Sequence, residues 1–197
     1  MNKPLTLLVL LCCISCFGQE CVYKDLSKTL YFSVDVTRHD NGWLDSCSVK
    51  IDIFRKEGNL KAQEIRFESN NLFPKSFIDK TTSRSYTTGY NENIKDNEND
   101  WGDLILADFN FDGEEDFAIK GEEGGNGGPL YLFYIQDKSG AFAIDQFLTE
   151  EMIFFPKKID PAKKQLTTLV RANTYEDCER VYQLTGKWEE ISKRYMP

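Results

Sequence analysis

The chain is poor in the residues that most often carry catalysis and metal chemistry. It has one histidine, His39. That leaves no pair of imidazoles to build a zinc site. His39 precedes Asp40 beside an Asn41-Gly42 turn, and no serine is marked as its nucleophile, so the Ser-His-Asp reading has no sequence support. We expect His39 to be a surface turn residue and the chain not to be an enzyme. Positive charge is also scarce: 24 Lys and Arg stand against 32 Asp and Glu, for a net charge of -8. Phosphate recognition needs a basic patch, so nucleic acid is not an expected partner. Basic proteins and cations suit an acidic surface, and the same charge also keeps a secreted protein soluble. Apolar runs are short. The one at the start, Leu5 to Ile14, falls below the roughly 20 residues that a spanning helix needs.

That short run follows Met1-Asn2-Lys3 and ends in small residues, which is the layout of a signal peptide over residues 1–18. Cleavage after Gly18 would start the mature chain at Gln19, in the periplasm or outside the cell. A second reading makes Cys16 a lipidated N-terminus, since Cys13-Ile14-Ser15-Cys16 loosely follows a lipobox; a membrane is a partner only in that case. The remainder, 19–197, has the length of one domain. After the leader the cysteines are Cys21, Cys47 and Cys178. An oxidising compartment favours pairing, but three is odd. We expect Cys47 with Cys178, both in strand-like surroundings, with Cys21 paired to either as the alternative.

The rest of the chain reads as strands. Leu30, Phe32, Val34 and Val36 alternate with polar neighbours, as do Cys47, Val49, Ile51 and Ile53, and Ala62 to Phe67 follows a Glu57-Gly58-Asn59 turn. Period two is the mark of half-buried strands, here an antiparallel meander. Residues 70–100 form a long polar excursion. Short apolar strands then follow at Leu104 to Ala107, Phe117 to Ile119, Leu130 to Ile135, Ala141 to Phe147, Lys164 to Arg171, Glu179 to Leu184 and Lys187 to Ile191. Glu150 to Phe155 fits either a strand or a turn of helix. Helical periodicity is not sustained anywhere. The expected fold is mainly β, an antiparallel sandwich or barrel-like domain.

The most specific motif is Asp108-Phe109-Asn110-Phe111-Asp112-Gly113-Glu114-Glu115-Asp116, and it occurs once. Oxygen side chains fall at positions one, three, five and nine, and glycine stands at six, where the chain must turn sharply. A hard cation with six to eight oxygen ligands suits that pattern, so Ca2+ is the expected cofactor. Asp108, Asn110 and Asp112 would turn inward, Glu114 would give its backbone carbonyl, and Asp116 would close the shell directly or through water. Position twelve, a glutamate in an EF-hand, is Ile119 here; Glu122 and Glu123 are the nearest later carboxylates. The bland reading is an acidic turn whose side chains cap the backbone. Next comes Gly121 to Pro129, with five glycines in nine residues: either a flexible hairpin connection or a projecting loop.

The run from Leu104 to Tyr134 resembles a family of exported bacterial proteins with an EF-hand-like calcium loop, related to periplasmic lysozyme inhibitors. The matching residues are Asp108-x-Asn110-x-Asp112-Gly113-x-x-Asp116, Gly124-Gly125-Asn126-Gly127-Gly128-Pro129 and Tyr131 to Tyr134. The resemblance implies a β-rich sandwich, a structural calcium, and inhibition of a lysozyme-like peptidoglycan hydrolase by a loop inserted into its cleft. On this chain the inserted element would be Gly124, Gly125, Asn126, Gly127, Gly128 and Tyr131, with the calcium loop bracing its base. The competing reading is a calcium-dependent adhesion, carbohydrate-binding or peptidoglycan-binding module, with Trp43, Trp101 and Trp188 stacking on sugars.

Overall fold

The computed structural model describes residues 19–39, 46–73, 75–78, 82–94 and 100–197. The expected leader, Cys16, the Asn41-Gly42 turn and Trp43 lie outside the described residues. No helix among the described residues is long and apolar enough to cross a membrane.

Thirteen strands are described, in three sheets stacked about the middle one. The first sheet has the order β1 (Gln19–Tyr23), β2 (Leu30–Arg38), β3 (Cys47–Arg55), β4 (Leu60–Ser69), all antiparallel. The second runs β5 (Ser83–Ser85), β6 (Leu104–Ala107), β7 (Asp116–Gly125), β8 (Gly128–Gln136), β9 (Phe142–Ile144). Its β5–β6 pair is parallel and the others antiparallel. The third is an antiparallel meander of β10 (Lys158–Asp160), β11 (Gln165–Arg171), β12 (Asp177–Leu184) and β13 (Trp188–Met196). The fold is mainly β and sandwich-like, as the alternation of the sequence requires.

The position of each sheet follows from the pattern of its strands. β3 alternates buried and half-buried residues from Cys47 to Phe54, so it has one core face. β6 is buried at all four positions and β7 at its first six, so the middle sheet is covered on both sides. Leu104, Leu106, Phe117, Ile119 and Tyr134 point into one core with Phe32, Val34 and Ile51 of the first sheet. Their sequence neighbours Ile105, Ala107, Ala118 and Phe133 point the other way, into a second core with Leu166, Tyr182 and Trp188 of the third sheet. Strands sandwiched twice lose the polar half of their alternation. Aromatic rings fill both layers. Phe117 meets Phe32 at 5.6 Å and Phe142 at 5.0 Å, while Phe109 meets Phe133 at 5.2 Å and Phe155 at 5.8 Å. Each fully buried Phe contributes about 1.5–3 kcal/mol.

The structure corrects some expectations and resolves others. Cys47 and Cys178 are not bridged to each other: Cys47 lies in the first sheet and Cys178 in the third. The Cys21 alternative fails too. Cys21 faces Val34, which faces Ile51, so Cys21 and Cys47 are two strands and four residues apart, roughly 14 Å along the strand alone. A disulfide needs Cα atoms within about 7 Å. The described parts of the polar excursion at 70–100 carry buried anchors. Leu72 and Phe77 are buried in it, Ser83-Arg84-Ser85 forms the buried strand β5, and Tyr90 packs on the first core. Of the two readings of Glu150 to Phe155, the helical one holds for its first residues: Phe147–Met152 forms a π-helical turn that buries Leu148 and Met152, and Phe154 makes only an isolated bridge to Leu130. Lastly, the glycines after Gly121 do not form a free loop. They continue β7 and β8 to a two-residue turn at Asn126 and Gly127, with Gly125 opposite Gly128.

Candidate functional site

The acidic motif forms the connection between β6 and β7, at one end of the middle sheet. Its side chains turn back onto its own amides. Asp108 accepts from Asp112 N at 3.1 Å through Oδ1 and from Gly113 N at 3.0 Å through Oδ2. Asn110 Oδ1 accepts from the same Asp112 N at 3.0 Å, and Asp112 Oδ1 from Glu114 N at 2.9 Å. Asn110 Nδ2 also donates to Asp112 Oδ2 at 2.8 Å. Positions one, three and five therefore face the loop interior together. Gly113 sits at φ +92°, the left-handed turn that glycine takes without strain. Asp112, Gly113 and Glu114 are exposed.

Asp116 differs from the rest. It is fully buried at the start of β7, with Oδ2 accepting from Phe109 N at 2.8 Å and Asn110 N at 3.3 Å, and Oδ1 from Gln136 N at 2.9 Å. Burial pushes its carboxyl up to about 7 against the opposing pull of these three amides, and the nearby Asp108 charge adds to the rise. Asp116 is thus a latch that closes the loop onto β8. Only Oδ1 keeps a lone pair for another ligand. Among the described residues no three His, Cys, Asp or Glu side chains stand together as a ready-made cage. Ile119 is buried in the first core. Glu122 and Glu123 cannot serve the loop, because they stand six and seven residues up β7, roughly 20 Å away.

Glu115, a residue the sequence reading passed over, holds the loop to the layers around it. Its Oε2 accepts from Ser27 Oγ in the β1–β2 link, and Oε1 accepts from Thr87 Oγ1 at 2.7 Å. Within Glu114-Glu115-Asp116 nothing distinguished it from a solvated charge.

The hairpin end lies at the opposite end of β7, about 30 Å from the acidic loop. The loop therefore does not brace it. It is held instead by a buried charge cluster that the sequence reading also missed. Lys120 Nζ lies 3.0 Å from Asp100 Oδ2, 3.1 Å from Asp103 Oδ1 and 3.5 Å from Glu123 Oε2. Burial alone would lower the Lys120 ammonium, but the charges of Asp103, Asp100 and Glu123 outweigh it and raise it. Glu123 Oε1 also accepts from Phe73 N at 3.0 Å and Ser76 Oγ at 2.6 Å. The available signal was a lone lysine ending the apolar run Phe117-Ala118-Ile119-Lys120.

At the tip, Gly125 and Asn126 are exposed, and Gly124, Gly127 and Gly128 are half-buried. A Cβ on Gly124 would stand 2.0 Å from Gly128 O, at φ +65°, and one on Gly127 would stand 2.9 Å from the Phe154 ring. These two glycines allow close packing rather than free movement. Tyr131 is not part of the tip. It is 1% exposed, its hydroxyl donates to Gly102 O at 3.1 Å and accepts from Trp101 N at 3.2 Å, and burial drives that hydroxyl well above the ordinary tyrosine range. Trp188 is buried and Trp101 is half-buried, 5.7 Å from Phe155.

His39 is exposed, with Nε2 2.7 Å from Ser48 Oγ and 3.6 Å from Glu68 Oε2. Glu68 also accepts from Ser48 Oγ at 2.9 Å. Both partners sit on the same ring nitrogen. A triad places its carboxylate on the other one, so these residues do not form that arrangement.

No protein-family model matches the chain, and no curated protein matches its sequence. Among solved structures, one described as "Structure of a Xanthomonas Type IV Secretion System related protein" is similar over 89% of this chain and 86% of its own, at 17% identity and a TM-score of 0.48. A similarity of that size establishes neither function nor partner.

Proposed function

We propose that residues 108–116 hold a structural Ca2+, and that the chain is an exported binding protein that presents its Gly124–Gly128 hairpin end to the cleft of a lysozyme-like peptidoglycan hydrolase. The observation that carries the calcium reading is the convergence of Asp108 and Asn110 oxygens on one amide, Asp112 N, around a left-handed glycine. Oxygen donors in that order are the chemistry a hard cation requires. Asp108, Asn110 and Asp112 would supply side-chain oxygens and Glu114 its carbonyl. Asp116 fits better as the latch that fixes the loop than as a full ligand. The bound cation would supply positive charge among carboxylates that otherwise repel one another.

The inhibitor reading rests on the family resemblance and on the tip's shape. A two-residue turn with Gly125 and Asn126 exposed is narrow enough to approach the floor of a cleft, and it is anchored from behind by Glu123 and Lys120. Anchoring lowers the ordering cost of binding. The net charge of -8 suits a basic target, which it would steer into contact. The sugar-stacking reading gains nothing from Trp188 and Trp101, which pack inward.

The test is turnover of a peptidoglycan substrate by c-, g- and i-type lysozymes, with the protein titrated in at saturating calcium. Stoichiometric inhibition of one type is expected, lost in Gly125→Tyr, at an exposed position where an added Cβ meets no atom within 4 Å, with circular dichroism checking that the variant folds. Unchanged turnover with all three would remove the inhibitor reading. Retention on insoluble peptidoglycan without inhibition would favour the carbohydrate module.

A further inference from the structure

A groove of about 400 Å3 opens between the β1–β2 link, the end of β3 and the β8–β9 hairpin. Its wall carries Lys28, Arg55 and Lys56 against one carboxylate, Glu57. This local excess of positive charge sits on a chain whose net charge is -8. Among the described residues, neither Lys28 nor Arg55 forms an ion pair. Their charge is not spent on a neighbouring carboxylate.

The donors also converge. The point where a Cβ on Gly140 would stand lies 3.6 Å from Arg55 Nη2 and 3.7 Å from Gln136 Nε2, which donates one hydrogen to Gly140 O at 3.4 Å and keeps the other. Lys56 Nζ is fixed on Ser27 O at 2.6 Å, which leaves its other two hydrogens for a ligand. The walls are pinned from below. Gln136 N is held by Asp116, and Ser27 Oγ by Glu115. The Lys56 ammonium, already held in place, loses little freedom on binding. A second hollow of about 320 Å3 shares Arg55 and Gly140 and extends the groove towards Lys61.

We propose that this groove is a binding site for a small ligand bearing an oxyanion, a phosphate or a carboxylate. A guanidinium, an amide N–H and an ammonium facing one space are the donors such a group needs. The volume is near the lower end for small-molecule sites, about 300–1,000 Å3. The acidic remainder of the surface repels long polyanions, so the field selects a small anion over a nucleic acid or an acidic polymer.

The experiment is an amide and side-chain NMR titration of the full chain at constant ionic strength, with inorganic phosphate, with succinate, and with sodium chloride as control. Saturable shifts at Lys28, Arg55, Gln136 and Gly140 are expected with phosphate or succinate and not with chloride, and the probe that saturates first names the preferred group. Arg55→Ala and Lys28→Ala, both at exposed positions, should each weaken binding by about tenfold, whereas Lys193→Ala on β13 should not. Shifts that follow chloride equally, that fail to saturate, or that weaken as much in Lys193→Ala as in Arg55→Ala would overturn the assignment.

Discussion

Replacing Lys120 with Met removes one positive charge from among three carboxylates. The Lys120 side chain is 4% exposed, and its partners Asp103, Glu123 and Asp100 are 3%, 7% and 19% exposed. Water cannot take over the role of the ammonium at such a site. Deleting one member of a buried ion pair costs about 3–5 kcal/mol, most of it from the stranded charge. In a domain of this size each kcal/mol moves the midpoint by about 2–4 °C, so a fall in Tm on the order of 10 °C is expected at neutral pH. The sign of the pH dependence is also fixed. Burial already raises the Asp103 carboxyl, and without Lys120 it rises further. The variant relieves its stranded charge by taking up a proton, so its deficit against the native chain shrinks as pH falls from about 7 to about 5. For the native chain, the raised Lys120 value means that its stabilisation is complete below the ordinary lysine value of 10.5 and is lost as pH rises beyond it. Thermal unfolding followed by circular dichroism at two pH values measures both effects. A loss below about 1 kcal/mol, or a deficit that grows towards pH 5, would refute the reasoning.

Three further outcomes are expected. Asp116→Ala leaves the amides of Phe109, Asn110 and Gln136 without their acceptor, and denaturant unfolding should show a loss of about 3 kcal/mol or more, far larger than for the exposed Glu114→Ala. Gly124→Ala should destabilise by more than about 2 kcal/mol, because its Cβ meets Gly128 O, while Gly125→Ala should stay within about 0.5 kcal/mol in the same assay. Tyr131→Phe should lower stability by about 1–3 kcal/mol through Gly102 O and Trp101 N, and leave inhibition of a lysozyme unchanged, since the ring never reaches the surface.

Local pattern carried much of this fold. The period-two runs at Leu30 to Val36 and Cys47 to Ile53 became β2 and β3, because a sheet with one core face must alternate. The acidic loop was legible for the same reason: its spacing alone turns three side chains to one side. What escaped the reading depends on contacts between distant residues. Ser83-Arg84-Ser85 has no apolar residue, yet it is a buried strand, because its parallel partner β6 and the layers above it exclude water. Arg84 itself is fully buried, which nothing in a polar stretch announces. Cys47 and Cys178 share strand-like flanks, but flanks do not say which sheet a strand joins. The glycines from Gly124 to Gly128 suggested freedom; only the positions of Gly128 O and Phe154 show that close packing requires Gly124 and Gly127. Tyr131 follows Gly128 closely in sequence, but odd-numbered positions of β8 point into the second core.

The calcium reading is tested most directly by calorimetric titration of Ca2+ into the chelator-treated chain, beside Asp108→Ala/Asp112→Ala. One saturable site is expected, absent from the double variant, with a higher thermal midpoint for the native chain when calcium is present. No heat of binding and an unchanged midpoint would contradict it, leaving residues 108–116 as an acidic turn that caps its own amides.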